Sequence, residues 1–156
     1  LGILVDLVAG DAREILLAVG IEDWAGLRDR RRFVAHLSLG GVGHHWLDLF
    51  SAAAREAGGA DSVAPFGDSV YPLDSRLTSI SERLIERVAP VWVDGVARLD
   101  DRRLDAVAAR WIELIESAGC AVDVDEKPAL RQLAGDLVAF CRDAEAAEDV
   151  LFIWSI

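Results

Sequence analysis

"VLFIWSI", Val150 to Ile156, is the stretch on which the fold turns. It is apolar at every position but Ser155 and shows no polar alternation. A short continuous apolar run of this kind fits a strand buried on both faces. A second such run, "ILVDLVA" from Ile3 to Ala9, is interrupted only by Asp6. Between the two lie mainly helical patterns. The sequence therefore predicts an α+β fold, mostly helical, as one domain over residues 1–156. The N-terminal and C-terminal strands are expected to share one small sheet.

Working outward from those strands, "GDAREILLAVG" reads as a helix, with Asp11 as cap, Glu14 three residues on and Gly20 as stop. "RDRRRFVAHLSLGG" reads as a short helix ended by its glycines, and "HHWLDLFSAAAREAGG" as another that closes at Gly58 and Gly59. Gly58 to Ser79 reads as a long loop in which short strands could hide. Ser79 and Glu82 form a capping box for a helix over "SISERLIERVA", and Pro90 starts or kinks the next segment. Leu104, Val107, Ala108, Trp111 and Ile115 make one helical stripe that ends at Gly119, and "CAVDV" reads as a short strand. Pro128 opens a last helix striped by Leu130, Leu133, Leu137, Phe140 and Cys141.

The chain has 156 residues, 53% of them hydrophobic, which is enough to build a core and excludes disorder. Sixteen basic residues against 27 acidic ones give a formal net charge of −11. Such a surface repels phosphate backbones and anionic headgroups, so neither nucleic acid nor membrane is expected as a partner, whereas a basic protein is. Asn is absent and Lys127 is the single lysine, a bias expected of a GC-rich bacterial genome. Two cysteines are too few for a disulfide framework, and Cys141 is expected as a buried thiol. Asp6 breaks any signal-peptide pattern, and no apolar run reaches the ~18 residues of a membrane span. The expected compartment is the cytoplasm.

All three histidines, His36, His44 and His45, fall within ten residues, close to Asp48. Imidazole and carboxylate suit zinc or a similar metal, so these four are the candidate metal ligands. On a helix, however, Trp46, Phe50, Ala53 and Ala57 make one face, which turns His44 and Asp48 toward solvent as an ordinary first turn. "GGVG" at Gly40 to Gly43 is not a phosphate loop. "FGDS", Phe66 to Ser69, resembles the first block of the GDSL/SGNH esterases, but the chain has no Asn and no His after His45, so it reads as turn chemistry. Candidate binding residues are Arg30, Arg31 and Arg32 in "RDRRR", Trp24 as an exposed anchor, and Asp6, a strand carboxylate that needs a partner such as Arg. No catalytic residue is assigned and no cofactor is called for.

The glycine-led strand "GILVDLV", the W-x-G-L of Trp24 to Leu27 and the closing "DAEAAEDVLFIWSI" resemble small bacterial proteins of unknown function typified by YfbM. The resemblance implies an α+β fold and a bacterial source, and no catalytic residues. The functional expectation is a non-enzymatic interaction or regulatory domain, immunity-like, whose acidic surface meets a basic partner. The alternative is a small metal-dependent or ligand-binding enzyme using His36, His44, His45 and Asp48.

Overall fold

The closing apolar run is the middle strand of a five-stranded sheet. The computed structural model describes residues 4–73 and 83–155. The strands are β1 (Leu4–Gly10), β2 (Ala35–Ser38), β3 (Val70–Pro72), β4 (Arg83–Val88) and β5 (Asp149–Ser155), in the order β2-β1-β5-β4-β3. Every pairing is antiparallel. The two end strands thus share the sheet and lie side by side, with Leu4 opposite Ser155 and Gly10 opposite Asp149. Pro72, which has no N–H to give, sits in the edge strand β3.

Among the described residues, six α-helices cover the sheet: α1 (Ala12–Gly20), α2 (Trp24–Leu27), α3 (His44–Gly58), α4 (Pro90–Ala97), α5 (Leu104–Ser117) and α6 (Lys127–Ala144). Strand alternation divides the core in two. Val5, Leu7 and Ala9 of β1, with Val150 and Phe152 of β5, join the large core built with α3 to α6. Val8, Leu151 and Ile153 face the other way, against Ile15 and Val19 of α1, Leu27 of α2 and Phe33. β5 is therefore apolar on both faces because helices cover both. Among the described residues, no helix is long and apolar enough to cross a membrane.

Several local expectations fail. Arg28 to Gly41 is not a helix: a turn leads into β2, where Leu37 pairs with Leu7 and Ala35 with Ala9. "RLIERV" is the strand β4, paired on both sides, while the capping box at Ser79 and Glu82 lies outside the described residues. "CAVDV" forms no strand. Part of the long central loop is ordered as a 3₁₀ turn, Phe66–Asp68, followed by β3. α1 runs through Gly20, and the left-handed residue after it is Glu22, with φ 58°. The expected glycine stops at Gly59 and Gly119 do take positive φ, 67° and 92°.

Candidate functional site

Two histidine–carboxylate pairs lie on opposite faces of the sheet. On the α1/α2 face, the β1–β2 register sets Val8 opposite His36 and Asp6 opposite Ser38, so Asp6 and His36 are diagonal neighbours. His36 Nε2 is 2.8 Å from Asp6 Oδ1, and both side chains are almost buried. The buried carboxylate has the partner its burial calls for, and that partner is a histidine. Leu4, Trp24, Leu27 and Arg28 close around the pair and leave about 20 Å³, room for one water and no more. Trp24 is half-buried, with the Arg83 guanidinium 5.6 Å over its ring, so its indole face is engaged by its own chain.

The second pair stands on the large-core face. Three glycines lead into α3, whose N-cap, Gly43, has no side chain to offer the first-turn N–H groups. His44 is the first helical residue and packs its ring on Phe152 at 4.8 Å and Phe66 at 5.7 Å. Contrary to the expected solvent-facing first turn, it leans on the sheet. The buried seam of α3 runs through Leu47, Phe50, Ser51 and Ala54, because the helix meets α5 and the Phe66–Asp68 turn as well as the core. Glu86 of β4, opposite Phe152 in the register, reaches His44 with Oε1 2.6 Å from Nε2. The Glu86 side chain is 10% exposed and that of His44 36%. The close approach is out of line for a hydrogen bond, and both buried atoms lack any other partner among the described residues. Beside the pair, Gly43, Leu84, Phe152 and Trp154 line an open pocket of about 240 Å³ with His44 in its wall.

Glu86 is the site residue that sequence reasoning missed. The signal was the alternation Leu84–Glu86–Val88, which on a strand puts the carboxylate on the core face. The proposed metal set does not converge. His36 and His44 are on opposite faces of the sheet, His45 is exposed, and Asp48 Oδ1 accepts the Gly67 N–H at 2.7 Å. Among the described residues, no group of three or more His, Cys, Asp or Glu is placed to hold a metal ion. The Asp48 bond ties α3 to the "FGDS" turn. Within that turn the buried Ser69 hydroxyl donates to the Pro65 carbonyl at 2.9 Å.

Two of the three clustered arginines are in ion pairs within the chain. Arg30 meets Asp143 at 3.3 Å and Arg32 meets Asp23 at 2.8 Å, while Arg31 is exposed. The Arg32 hydrogen bond, with help from the Gly26 N–H, holds the Asp23 carboxyl below the usual range.

A second pocket, about 260 Å³, opens where α4 and α6 meet the start of β5. Asp94, Glu145, Glu148 and Asp149 rim it over an apolar floor that includes Val88, Val93 and Val150. Its one cation among the described residues, Arg87, is already 3.1 Å from Asp149. Cys141 lies buried behind this corner; desolvation pushes its thiol pKa up, and the charges of Glu145 and Asp94 add to the effect.

No protein-family model matches the chain, and no curated protein does. Among solved structures, the crystal structure of a protein of unknown function, YfbM from Escherichia coli, is similar at 12% identity and a TM-score of 0.40. The alignment covers 98% of this chain and 99% of that one, and this is the protein that typifies the group which the two ends of the sequence resemble.

Proposed function

We propose that the protein is an interaction or regulatory module, immunity-like in character, whose acidic surface receives a basic protein partner. The observation that carries this reading is the acidic-rimmed pocket at the α4–α6–β5 corner. Its apolar floor suits the stem of an arginine, and Asp94, Glu145 and Glu148, the carboxylates not paired with Arg87, suit the head. The long-range field points the same way. With a formal charge of −11, and with Arg30, Arg32, Arg83, Arg87, Arg110, Lys127 and Arg142 each paired to an acid of the same chain, the surplus is negative. A field of that sign speeds encounter with a basic partner and turns away acidic ones. Recognition of this kind needs no reacting group.

Calorimetric titration with a short arginine-rich peptide tests the reading. Binding is expected to weaken with salt, and to fall about tenfold when Glu145→Gln and Glu148→Gln are combined, since truncating close charge partners costs well over 1 kcal/mol. The control removes two remote charges, Asp123→Asn with Asp125→Asn, and should cost little. Equal losses from both pairs would mean that net charge alone attracts the peptide, and the pocket assignment would fall.

A further inference from the structure

The His44–Glu86 pair has no part in the basic-partner reading, yet it leaves a buried carboxylate oxygen and a buried ring nitrogen pressed together without an aligned hydrogen bond. Buried polar atoms are normally satisfied, and exceptions concentrate where a ligand or a chemical step completes them. This exception adjoins a pocket of about 240 Å³ walled by Leu84, Phe152 and Trp154. That volume lies below the roughly 300–1,000 Å³ of drug-sized ligand sites and so limits an occupant to a smaller molecule.

We propose that this pocket binds a small organic amine, an ammonium group carried on a flat apolar body, with His44 as the polar contact and Glu86 as the charge behind it. Glu86 Oε1, pressed on Nε2 without an aligned hydrogen bond, keeps acceptor capacity for an N–H donor that enters beside the His44 ring. His44 stands in the pocket wall with 36% of its side chain exposed, while Glu86, 10% exposed, lies behind it. Trp154, half-buried in the pocket wall, supplies surface for the apolar body, and an indole quadrupole attracts a cation.

An anionic ligand is the competing class, because the start of α3 has no capping side chain. Glu86 already brings a negative charge to the first residue of that helix and so meets the demand of the helix dipole. A second anion beside it would be repelled, and the chain's net charge of −11 opposes it further.

The test uses the full chain and three probes that share one body: phenethylamine, 2-phenylethanol and 3-phenylpropionate. Binding is followed through the histidine ring and tryptophan indole NMR signals. The amine is expected to shift the His44 and Trp154 resonances, the alcohol to bind at least about tenfold more weakly, and the acid not to bind. Glu86→Gln should weaken the amine by a similar factor and leave the alcohol unchanged. Leu84→Trp, which fills the pocket without touching Glu86, should abolish amine binding. Tighter binding of the acid, equal binding of amine and alcohol, or no shift with millimolar amine would overturn the assignment. The comparison of probes on the unaltered chain decides even where a variant fails to fold. Failure here leaves the acidic corner untouched, because the reporting signals belong to His44 and Trp154.

Discussion

Ser51 is fully buried in α3, and the hydroxyl fills both of its hydrogen-bonding roles. It donates to the Leu47 carbonyl at 2.8 Å and accepts from Trp92 Nε1 at 3.0 Å. Ser51→Ala removes few atoms but strands the indole N–H in the core. An orphaned buried donor costs about 1–3 kcal/mol, so urea unfolding should show a loss in that range with an unchanged slope. A loss near zero would mean that water reaches the indole. Neither partner was legible in advance, because residues far apart in sequence make the contact. The same limit applies at the candidate site. The sequence showed that a carboxylate at Asp6 needs a partner, but the strand register decides that His36 supplies it. Glu86 was hidden more deeply, since it becomes a core-facing group only once its segment is a strand.

That segment shows where elements were misread. In "RLIERV", Leu84, Ile85 and Val88 also satisfy a helical i, i+1, i+4 pattern, and the S-x-x-E just before it imitates a capping box. Pairing with β3 and β5 overrides both cues. β2 failed for a different reason: four residues are too few for any period to show. Where a stripe meets a glycine stop or an opening proline, as in α5 and α6, the helix was legible in the sequence, whereas for α3 the element was legible but its buried seam was not. The helical glycines carry this contrast into an experiment. Gly135, inside α6, has nothing within 4 Å of an added Cβ, so Gly135→Ala should stabilise by about 0.5–1 kcal/mol through backbone entropy alone. Gly58 ends α3 against α5, where the same methyl would collide with the Leu99 side chain and lie 2.9 Å from Val107 Cγ2. Gly58→Ala should instead destabilise by about 1–3 kcal/mol, as overpacking does. Thermal melts of the two variants moving in the same direction would show that helix propensity, not the fit between α3 and α5, governs both positions.

At the scale of the whole molecule, two electrostatic effects oppose each other. Ion pairs between 2.6 Å and 3.6 Å, such as Arg83–Glu22 and Lys127–Glu116, attract locally. Most are half-exposed, and such pairs contribute about 0–1 kcal/mol each. Against them stands the mutual repulsion of a chain with formal charge −11. Salt separates the two by range. Screening acts over about 10 Å at 0.1 M, so it removes the many long repulsions before it weakens contacts at hydrogen-bond distance. The loss of repulsion should therefore dominate the response. Raising sodium chloride from low to physiological concentration and beyond is expected to raise Tm by about 2–4 °C for a net change near 1 kcal/mol in a chain of this size. A falling Tm would reverse the ranking and show that attraction within the ion pairs outweighs the repulsion. The carboxylate surplus would then be neutralised within the fold, and the acidic corner between α4, α6 and β5 would lose the long-range field that is proposed to bring a basic partner to it.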